Sequence, residues 1–143
     1  MKTFYLKKAI PAVMVGIAFF FAGCQPKVPV SVKMEGWETA SNMRVTAEEY
    51  LETERYEKAL ALLKRIAREY PDYDEIPLVE YQIARSYYLL GEYEISSDDS
   101  VRWLEKYPRH SARAEVMLLL GEAFEALGNR PQAFYWYLEA KRQ

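Results

Sequence analysis

Residues 111–141 read SARAEVMLLLGEAFEALGNRPQAFYWYLEAK, and they carry the clearest secondary-structure signals of the chain. Apolar residues recur at helical spacing through its first half, and Gly128-Asn129 then interrupts the run before a second one begins. Pro131 follows the interruption near a helix start, where its missing N–H costs little, and Ser111 is a candidate cap for the first helix. The stretch therefore predicts a helical hairpin, in which two antiparallel helices are joined by a short turn.

This hairpin pattern occurs three times, with a period of 37 residues. Glu54, Gly91 and Gly128 are spaced by this period. In the same register, aromatic residues align at Tyr50, Tyr87 and Phe124, and small residues align at Ala47, Ala84 and Gly121 and at Ala59, Ser96 and Ala133. Small residues let two helices approach closely, so we expect Gly121 to receive an aromatic side chain from its partner helix. The period predicts three repeats, at about residues 41–74, 75–110 and 111–143.

The second repeat departs from this pattern in its second helix. That helix is predicted to open at Tyr93 and to run towards Lys106, but Ser96-Ser97-Asp98-Asp99-Ser100 is a poor helix-forming stretch. We expect it to be the weakest element of the array. Two interpretations remain open for its serines: the helix is held by the packing of Val101 and Trp103, or the serines form a polar contact patch.

The repeats resemble the tetratricopeptide family, whose usual period is about 34 residues. The residues that carry the resemblance are Tyr50, Tyr56, Ala59 and Pro71 in the first repeat, Ile83-Ala84, Tyr87, Gly91, Tyr93 and Pro108 in the second, and Leu120-Gly121, Phe124, Gly128, Ala133, Tyr137 and Ala140 in the third. The resemblance covers about residues 41–143 and implies an all-α fold, a right-handed superhelical array of about three helical hairpins.

The first 23 residues have the architecture of a secretory signal. Lys2, Lys7 and Lys8 precede an uncharged run that is too short for a comfortable transmembrane helix. The run ends in Phe21-Ala22-Gly23-Cys24, which resembles the bacterial lipobox. That resemblance implies cleavage before Cys24 and acylation of its thiol and new amine, including a palmitate-type chain, which together anchor a protein stably. An ordinary signal peptide with an incidental cysteine is the alternative.

Residues 24–40 read as a lipidated tether, because they contain Pro26, Pro29 and Gly36 and few helix signals. Trp37 either packs on the first helix or is an exposed linker aromatic. Gln25 follows the cysteine, and by resemblance to lipoproteins of enteric-type bacteria the absence of aspartate there implies the outer membrane. The expected location is its periplasmic face, with the inner membrane as the alternative.

Composition excludes several classes of function. Cys24 and His110 are the only cysteine and histidine, so the chain cannot supply a zinc site or an intramolecular disulfide. Beyond residue 23 the formal charge is −5, which argues against nucleic acid as a partner. The sequence contains no phosphate-binding loop and no set of a nucleophile with a base. Several pairs of acidic residues occur close together along the chain, and they are interpreted as solvent-exposed surface charge. We therefore expect no enzyme activity, no cofactor and no metal.

Repeat arrays bind partners on a concave surface, which in the tetratricopeptide family is lined by the first helix of each hairpin. Carrying that register over predicts a partner-binding surface formed by Arg44, Glu48, Leu51, Tyr81, Arg85, Tyr88, Leu118, Glu122 and Glu125. Arg85 between two tyrosines suits an extended peptide, through stacking and charge pairing. The competing interpretation is that these tyrosines are half-buried core residues.

The end of the third repeat is a second candidate contact region. No polar capping helix follows its second helix, so Phe134, Tyr135 and Tyr137 are candidates for contact with another chain. The Tyr-Pro pairs at repeat ends and the upstream lipobox together resemble the BamD-type outer-membrane assembly lipoproteins. The resemblance implies a non-catalytic scaffold that binds envelope proteins, and the alternative is a regulatory lipoprotein that activates a peptidoglycan synthase.

Overall fold

The computed structural model of the protein describes residues 30–143, with side chains from Gly36 onward. The six helices within this range are α1 (Val30–Glu52), α2 (Tyr56–Glu69), α3 (Ile76–Leu89), α4 (Tyr93–Lys106), α5 (Arg113–Ala126) and α6 (Arg130–Lys141). Each helix packs against the next, which gives the three hairpins α1–α2, α3–α4 and α5–α6. The predicted all-α array of tetratricopeptide-like hairpins is confirmed. The signal sequence and Cys24 lie outside the described residues.

The turn inside each hairpin repeats one backbone geometry. Glu54, Gly91 and Gly128 all have positive φ, at 58°, 83° and 76°. In the second hairpin the N–H of Gly91 donates to Tyr88 O and the N–H of Glu92 donates to Tyr87 O, each at 2.9 Å. The same pair of bonds occurs one period earlier and one period later. This is a Schellman motif, and it explains why glycine recurs there.

Close helix crossings occur at the small residues that the period singled out. Ala47, Ala59 and Ala84 are fully buried. A Cβ built on Gly121 would lie 2.5 Å from Cε1 of Tyr137, so glycine is required for the α5–α6 contact. The prediction that Gly121 receives an aromatic side chain is confirmed, and the aromatic residue is Tyr137.

The core consists of two clusters of buried side chains. The first cluster joins α1, α2 and α3 and contains Ala40, Ala47, Leu63, Ile66, Tyr73, Ile76 and Val79. The second joins α4, α5 and α6 and contains Trp103, Leu104, Ala112, Val116, Met117, Leu120 and Ala140. Leu78 and Tyr81 of α3 pack against the second cluster, while Val79 of the same helix belongs to the first. Helix α3 therefore connects the two clusters.

The structure corrects the prediction that residues up to 40 are a tether without helix. Helix α1 already begins at Val30, and Ala40 is fully buried in the first cluster. Trp37 packs against that cluster, and Gly36 faces the ring of Tyr70 at contact distance. Tertiary contacts with α2 therefore outweigh the low helix propensity of Gly36, a cost of about 1 kcal/mol relative to alanine.

Helix α4 forms over the predicted residues in spite of its serines. Ser96, Ser97 and Ser100 are buried, so the interpretation of this stretch as a polar contact patch is wrong. Trp103 is 2% exposed, and its Nε1 donates a hydrogen bond to Pro77 O at 2.6 Å. Packing of this indole between α3 and α5 holds the helix where local propensity does not.

The helix starts of the third hairpin differ in how they are capped. Asn129 precedes α6, and its side chain accepts a hydrogen bond from the backbone N–H of Gln132. The residue before α5 is Ala112, whose N–H donates to Nδ1 of His110 at 3.1 Å. The prediction that Ser111 caps α5 is therefore wrong, because the histidine supplies the local acceptor. No helix within residues 30–143 has the length and apolar character needed to cross a membrane.

Candidate concave binding surface

Helices α1, α3 and α5 together form the surface that is concave in tetratricopeptide arrays, and we call it the concave surface. Its first half contains a cleft of about 240 Å³ between α1 and α3, lined by Glu48, Leu51, Glu52, Gln82 and Arg85. The Nε2 of Gln82 donates to Glu48 at 2.9 Å across this cleft, which joins the two helices. The structure thus brings predicted residues of two repeats, Glu48, Leu51 and Arg85, into one site.

Arg44 is held by an ion-pair network beside this cleft. Its Nε donates to Glu75 at 2.7 Å, and its guanidinium also pairs with Glu48 one helical turn away. Partial burial opposes a rise in the pKa of Arg44, but the Tyr73 hydroxyl and the two carboxylates outweigh it and raise that pKa. Tyr73 donates to Glu75, and this bond is the main reason why the pKa of Glu75 is lowered. Arg44 therefore stabilises the α1–α3 connection.

Arg85 has a different environment from Arg44. Its side chain is exposed at the edge of the cleft, and it makes no ion pair with any residue in the part of the chain that the structure describes. A guanidinium without an internal partner keeps all five of its donors available for carboxylates or backbone carbonyls of another chain. Of the two arginines predicted on this surface, Arg85 is the one free to bind.

Tyr81 and Tyr88 flank Arg85 on α3, and both are half-buried. Tyr81 packs against the second core cluster, and burial raises its pKa, with Arg85 opposing and Glu115 and Glu122 adding to the rise. The ring of Tyr88 packs against the ring of Tyr93 of α4, with centroids 5.4 Å apart and the two planes tilted by 57°. Each tyrosine thus packs α3 against a neighbouring part of the array, while part of its side chain stays exposed.

The third repeat adds carboxylates and an unexpected tyrosine. Glu122 and Glu125 are exposed on α5, and the hydroxyl of Tyr137 donates to Glu125 at 2.7 Å. Burial and this hydrogen bond raise the pKa of Tyr137 well above its ordinary value. Tyr137 therefore faces the α5 crossing, and its predicted place among the free aromatics at the end of the array is wrong.

Sequence reasoning missed two residues of the cleft. Gln82 connects α1 to α3, and its Oε1 is buried without a hydrogen-bond partner among the described residues. Glu52 lies at the end of α1 and adds a second exposed carboxylate beside Arg85. The family register gives one position per helical turn, and neither residue falls on it. Including the residue that follows each register position, Glu52 after Leu51 and Gln82 after Tyr81, would have found both.

The described residues hold no cluster of three or more histidine, cysteine, aspartate or glutamate side chains that could bind a metal ion. Carboxylates on the concave surface are instead spread along it, at Glu48 and Glu52 in the first repeat and at Glu122 and Glu125 in the third. Glu48 is already paired with Arg44, so Glu52 and Glu122 are the carboxylates that lie in the repeats on either side of Arg85 without an ion pair among the described residues. This distribution is suited to charge-complementary binding of a protein segment.

Comparison with known proteins gives two matches. The family model described as YfiO, outer membrane lipoprotein, matches residues 38–141, which is most of the chain and all three hairpins. The mouse protein named protein O-mannosyl-transferase TMTC2 is 32% identical over 62 residues, which are 43% of this chain and 7% of the mouse protein. The second match thus spans only a small part of a much longer protein. The first confirms the resemblance to BamD-type lipoproteins.

Proposed function

Because this chain belongs to the YfiO family of outer membrane lipoproteins, we propose that it is a non-catalytic envelope scaffold that binds protein segments on its concave surface. The observation that carries the proposal is the cleft between α1 and α3, where Arg85 is exposed and unpaired within the described residues. Family membership favours a role in outer-membrane protein assembly over activation of a peptidoglycan synthase. The anchor of the scaffold is the acylated Cys24.

The charges of the surface define the segment that fits it. Arg85 requires a carboxylate or a backbone carbonyl opposite it, because a guanidinium donates and never accepts. Glu52 on one side and Glu122 on the other favour basic residues at both flanks of that acceptor. The exposed parts of Tyr81 and Tyr88 offer ring surface to the segment's side chains. An extended segment with a central acceptor and basic flanks meets these requirements.

Arg85→Ala tests the proposed surface. We expect a loss of about 2 kcal/mol in binding, which is roughly thirtyfold in affinity, and a change below about 0.5 kcal/mol in folding stability. Arg102→Ala is the matched control, because Arg102 is an exposed arginine on α4 outside the cleft. The measurement is co-purification of crosslinked partners from envelopes, with a urea melt of each variant. Equal partner yields for wild type and Arg85→Ala would contradict the proposal.

A photoreactive side chain at Glu52 identifies the partner. This position is exposed and lines the cleft, so a bound segment lies within reach of the probe. The same probe at Ile95, an exposed residue of α4, is the control for nonspecific crosslinking. A barrel-assembly protein that crosslinks to the probe at Glu52 but not to the probe at Ile95 would support the assembly role. A penicillin-binding protein crosslinked there would overturn it in favour of synthase activation.

The anchor has its own test, because Cys24 lies outside the described residues. Metabolic labelling with a palmitate analogue is expected to label the wild-type chain and to leave Cys24→Ser unlabelled. The labelled wild-type protein is expected to fractionate with outer membranes. Labelling that persists in Cys24→Ser would show that the lipid is attached elsewhere, since the chain has no other cysteine.

A further inference from the structure

Another cavity lies between the first and second hairpins, on the side of the array formed by α2 and α4. It has a volume of about 330 Å³, and its apolar lining consists of Ala67, Ile83 and Trp103. Ile83 lies two positions from Arg85 on α3, so the two side chains point to opposite sides of that helix. The cavity is therefore separate from the cleft on the concave surface, and we call it the junction pocket. Its charged lining residues are Glu80, Asp99, Arg102 and Lys106.

The repeat register shows what fills this space at the next junction, between the second and third hairpins. There Leu104 stands at the position of Ala67, and Trp136 stands at the position of Asp99. Leu104 is buried, and Trp136 packs against the second core cluster. The junction pocket is thus the space that a leucine and an indole occupy one period later. It is open at the first junction because alanine and aspartate replace them.

The polar groups around the junction pocket already have partners. Lys106 pairs with Glu80 at 2.6 Å between α4 and α3, and Arg102 pairs with Asp99 on α4. The indole N–H of Trp103 donates to a backbone carbonyl of α3. A small-molecule site usually has a few polar groups that converge on the ligand and fix its orientation. Since the charges here are paired with each other, the pocket suits an uncharged ring that is oriented by the chain to which it belongs.

A second copy of this chain is a poor source for that ring. Its exposed aromatic side chains among the described residues are Phe134 and Tyr135 on α6. Their insertion into a pocket between α2 and α4 would join two different surfaces of the same chain. Such a contact is repeated from copy to copy and produces rings or filaments instead of a defined pair. The ring is therefore assigned to another protein, and oligomers of the chain are one outcome of the test below.

We propose that the junction pocket receives the aromatic side chain of a segment of another protein. The inference rests on the proposed scaffold function, because the ligands of such a scaffold are protein segments. Tryptophan is the residue that fits best, since an indole occupies the equivalent space at the next junction. A buried aromatic side chain is a typical anchor of a protein–protein contact. The scaffold would then hold one segment on its concave surface and a second on the opposite side.

Binding of a fluorinated probe tests the pocket directly. The probe is N-acetyl-fluorotryptophanamide, which carries the ring on an uncharged backbone unit, and the comparator is N-acetyl-trifluoroleucinamide. Fluorine NMR with the purified full chain measures both affinities. We expect the tryptophan probe to bind at least tenfold more tightly than the aliphatic one. Equal affinities would overturn the proposal.

A closing variant locates the probe. Ala67→Leu/Asp99→Trp recreates the residues of the next junction, so it should fill the pocket, weaken the tryptophan probe at least tenfold and leave the urea midpoint equal or higher. Ala67→Leu alone is the milder variant if the double variant folds poorly, and it should weaken the probe at least threefold. Probe binding that neither variant changes would place the ring elsewhere and overturn the proposal.

Two controls separate this site from others. Arg85→Ala changes the concave surface only, so it should bind the tryptophan probe like wild type even where it loses partners in envelopes. Loss of envelope partners and of probe binding in Arg85→Ala would show one shared site and overturn the proposal. Free fluoroindole that binds while the amide-bearing probe does not would also overturn it, because the occupant would then be a small molecule.

Crosslinking in envelopes tests the source of the ring. The amine of Lys106 lies at the pocket and is reached by an amine-reactive crosslinker. We expect a crosslinked segment that contains an aromatic residue, and we expect its replacement by alanine, or the closing variant, to abolish the crosslink. Arg102→Ala should retain it, because the apolar lining is unchanged. Crosslinks from Lys106 to a second copy of the chain that the closing variant abolishes would contradict the assignment to another protein.

Discussion

Helices α2 and α4 occupy equivalent places in the first two hairpins, but they fill the space between neighbouring helices differently. The equivalent buried residues are Ala59, Leu63 and Ile66 on α2, and Ser96, Ser100 and Trp103 on α4. Helix α2 uses three apolar residues of moderate size. Helix α4 replaces two of them with serines and concentrates its apolar volume in one indole. The comparison shows that one hairpin geometry tolerates two distributions of volume, provided that the total is conserved.

Helices α2 and α4 also differ in whether they bury polar groups that lack a hydrogen-bond partner. The hydroxyls of Ser96 and Ser100 are buried and have no hydrogen-bond partner within the described part of the chain. A buried polar group without a partner costs about 1–3 kcal/mol. The α4 solution therefore depends on Trp103, whose Nε1 is bonded to Pro77 O and whose ring contacts Tyr107 and His110. That α4 is the weakest helix remains a prediction, and the variants below test it.

The largest effect is expected for Trp103→Ala. Removing this side chain leaves a cavity and breaks the hydrogen bond to Pro77 O, at a cost of about 3–5 kcal/mol in unfolding free energy. Ile66→Ala at the equivalent position of α2 should cost less, because a smaller side chain without a hydrogen bond is lost. Urea denaturation followed by circular dichroism measures both. A larger loss for Ile66→Ala would mean that α4 does not depend on its indole.

A smaller loss is expected for Gly121→Ala at the crossing of the third hairpin. The added Cβ lies 2.5 Å from the Tyr137 ring, so the ring must move and its bond to Glu125 weakens. The expected cost is about 1–3 kcal/mol. The double variant Gly121→Ala/Tyr137→Leu recreates the residues of the first hairpin, Ala47 and Leu63, and should recover part of the loss. An additive double-mutant cycle would contradict a direct contact.

Ser96→Ala is expected to stabilise the protein by about 1 kcal/mol. It removes an unpaired buried hydroxyl, and it restores the alanine found at this position in the other two hairpins. Ser86→Ala is the matched control, because Ser86 is also fully buried but donates to Gln82 O at 2.7 Å. The control should gain nothing in a urea melt. If both variants gain the same stability, the higher helix propensity of alanine explains the change, and the unpaired hydroxyl of Ser96 is not its cause.

The smallest effect is expected at the turn of the first hairpin. Glu54 has φ of 58°, where a side chain costs roughly 1–2 kcal/mol and glycine costs only chain entropy. Glu54→Gly should therefore stabilise the protein by about 0.5 kcal/mol. Gly91→Ala at the equivalent turn should destabilise it by about 1 kcal/mol, although a Cβ there meets no atom within 4 Å. Changes of the same sign in the two turns would show that backbone strain is not the cause.

Much of the fold was predictable because it depends on local and periodic signals. The period of 37 residues located the turns, and the glycines at two of them correspond to left-handed backbone that favours this residue. The bounds of α4, from Tyr93 to Lys106, follow from the aromatic start and the proline after its end. Gly121 indicated a close crossing because few other residues permit one. The partner-binding role of the concave surface remains a prediction.

Other features required contacts between residues distant in sequence. Arg44 pairs with Glu75, which is 31 positions away, and no local pattern indicates that pair or distinguishes Arg44 from the unpaired Arg85. The exposure of Phe134 and the burial of Tyr137 depend on the rotation of α6 against α5, which Gly121 sets. Both belong to an aromatic run whose periodicity is too weak to assign an inner and an outer side.

The sequence by itself determined the number of hairpins, their turns and the family, because these depend on spacing and on backbone conformation at single positions. Tertiary structure alone decided where α1 begins, since Gly36 is helical only through contacts of its neighbours with Tyr70 and the first core cluster. It also decided which serines are buried and which arginine is free. Burial and ion pairing depend on two surfaces in contact. The local sequence defines the side chains of each surface, but it does not define which other surface packs against it.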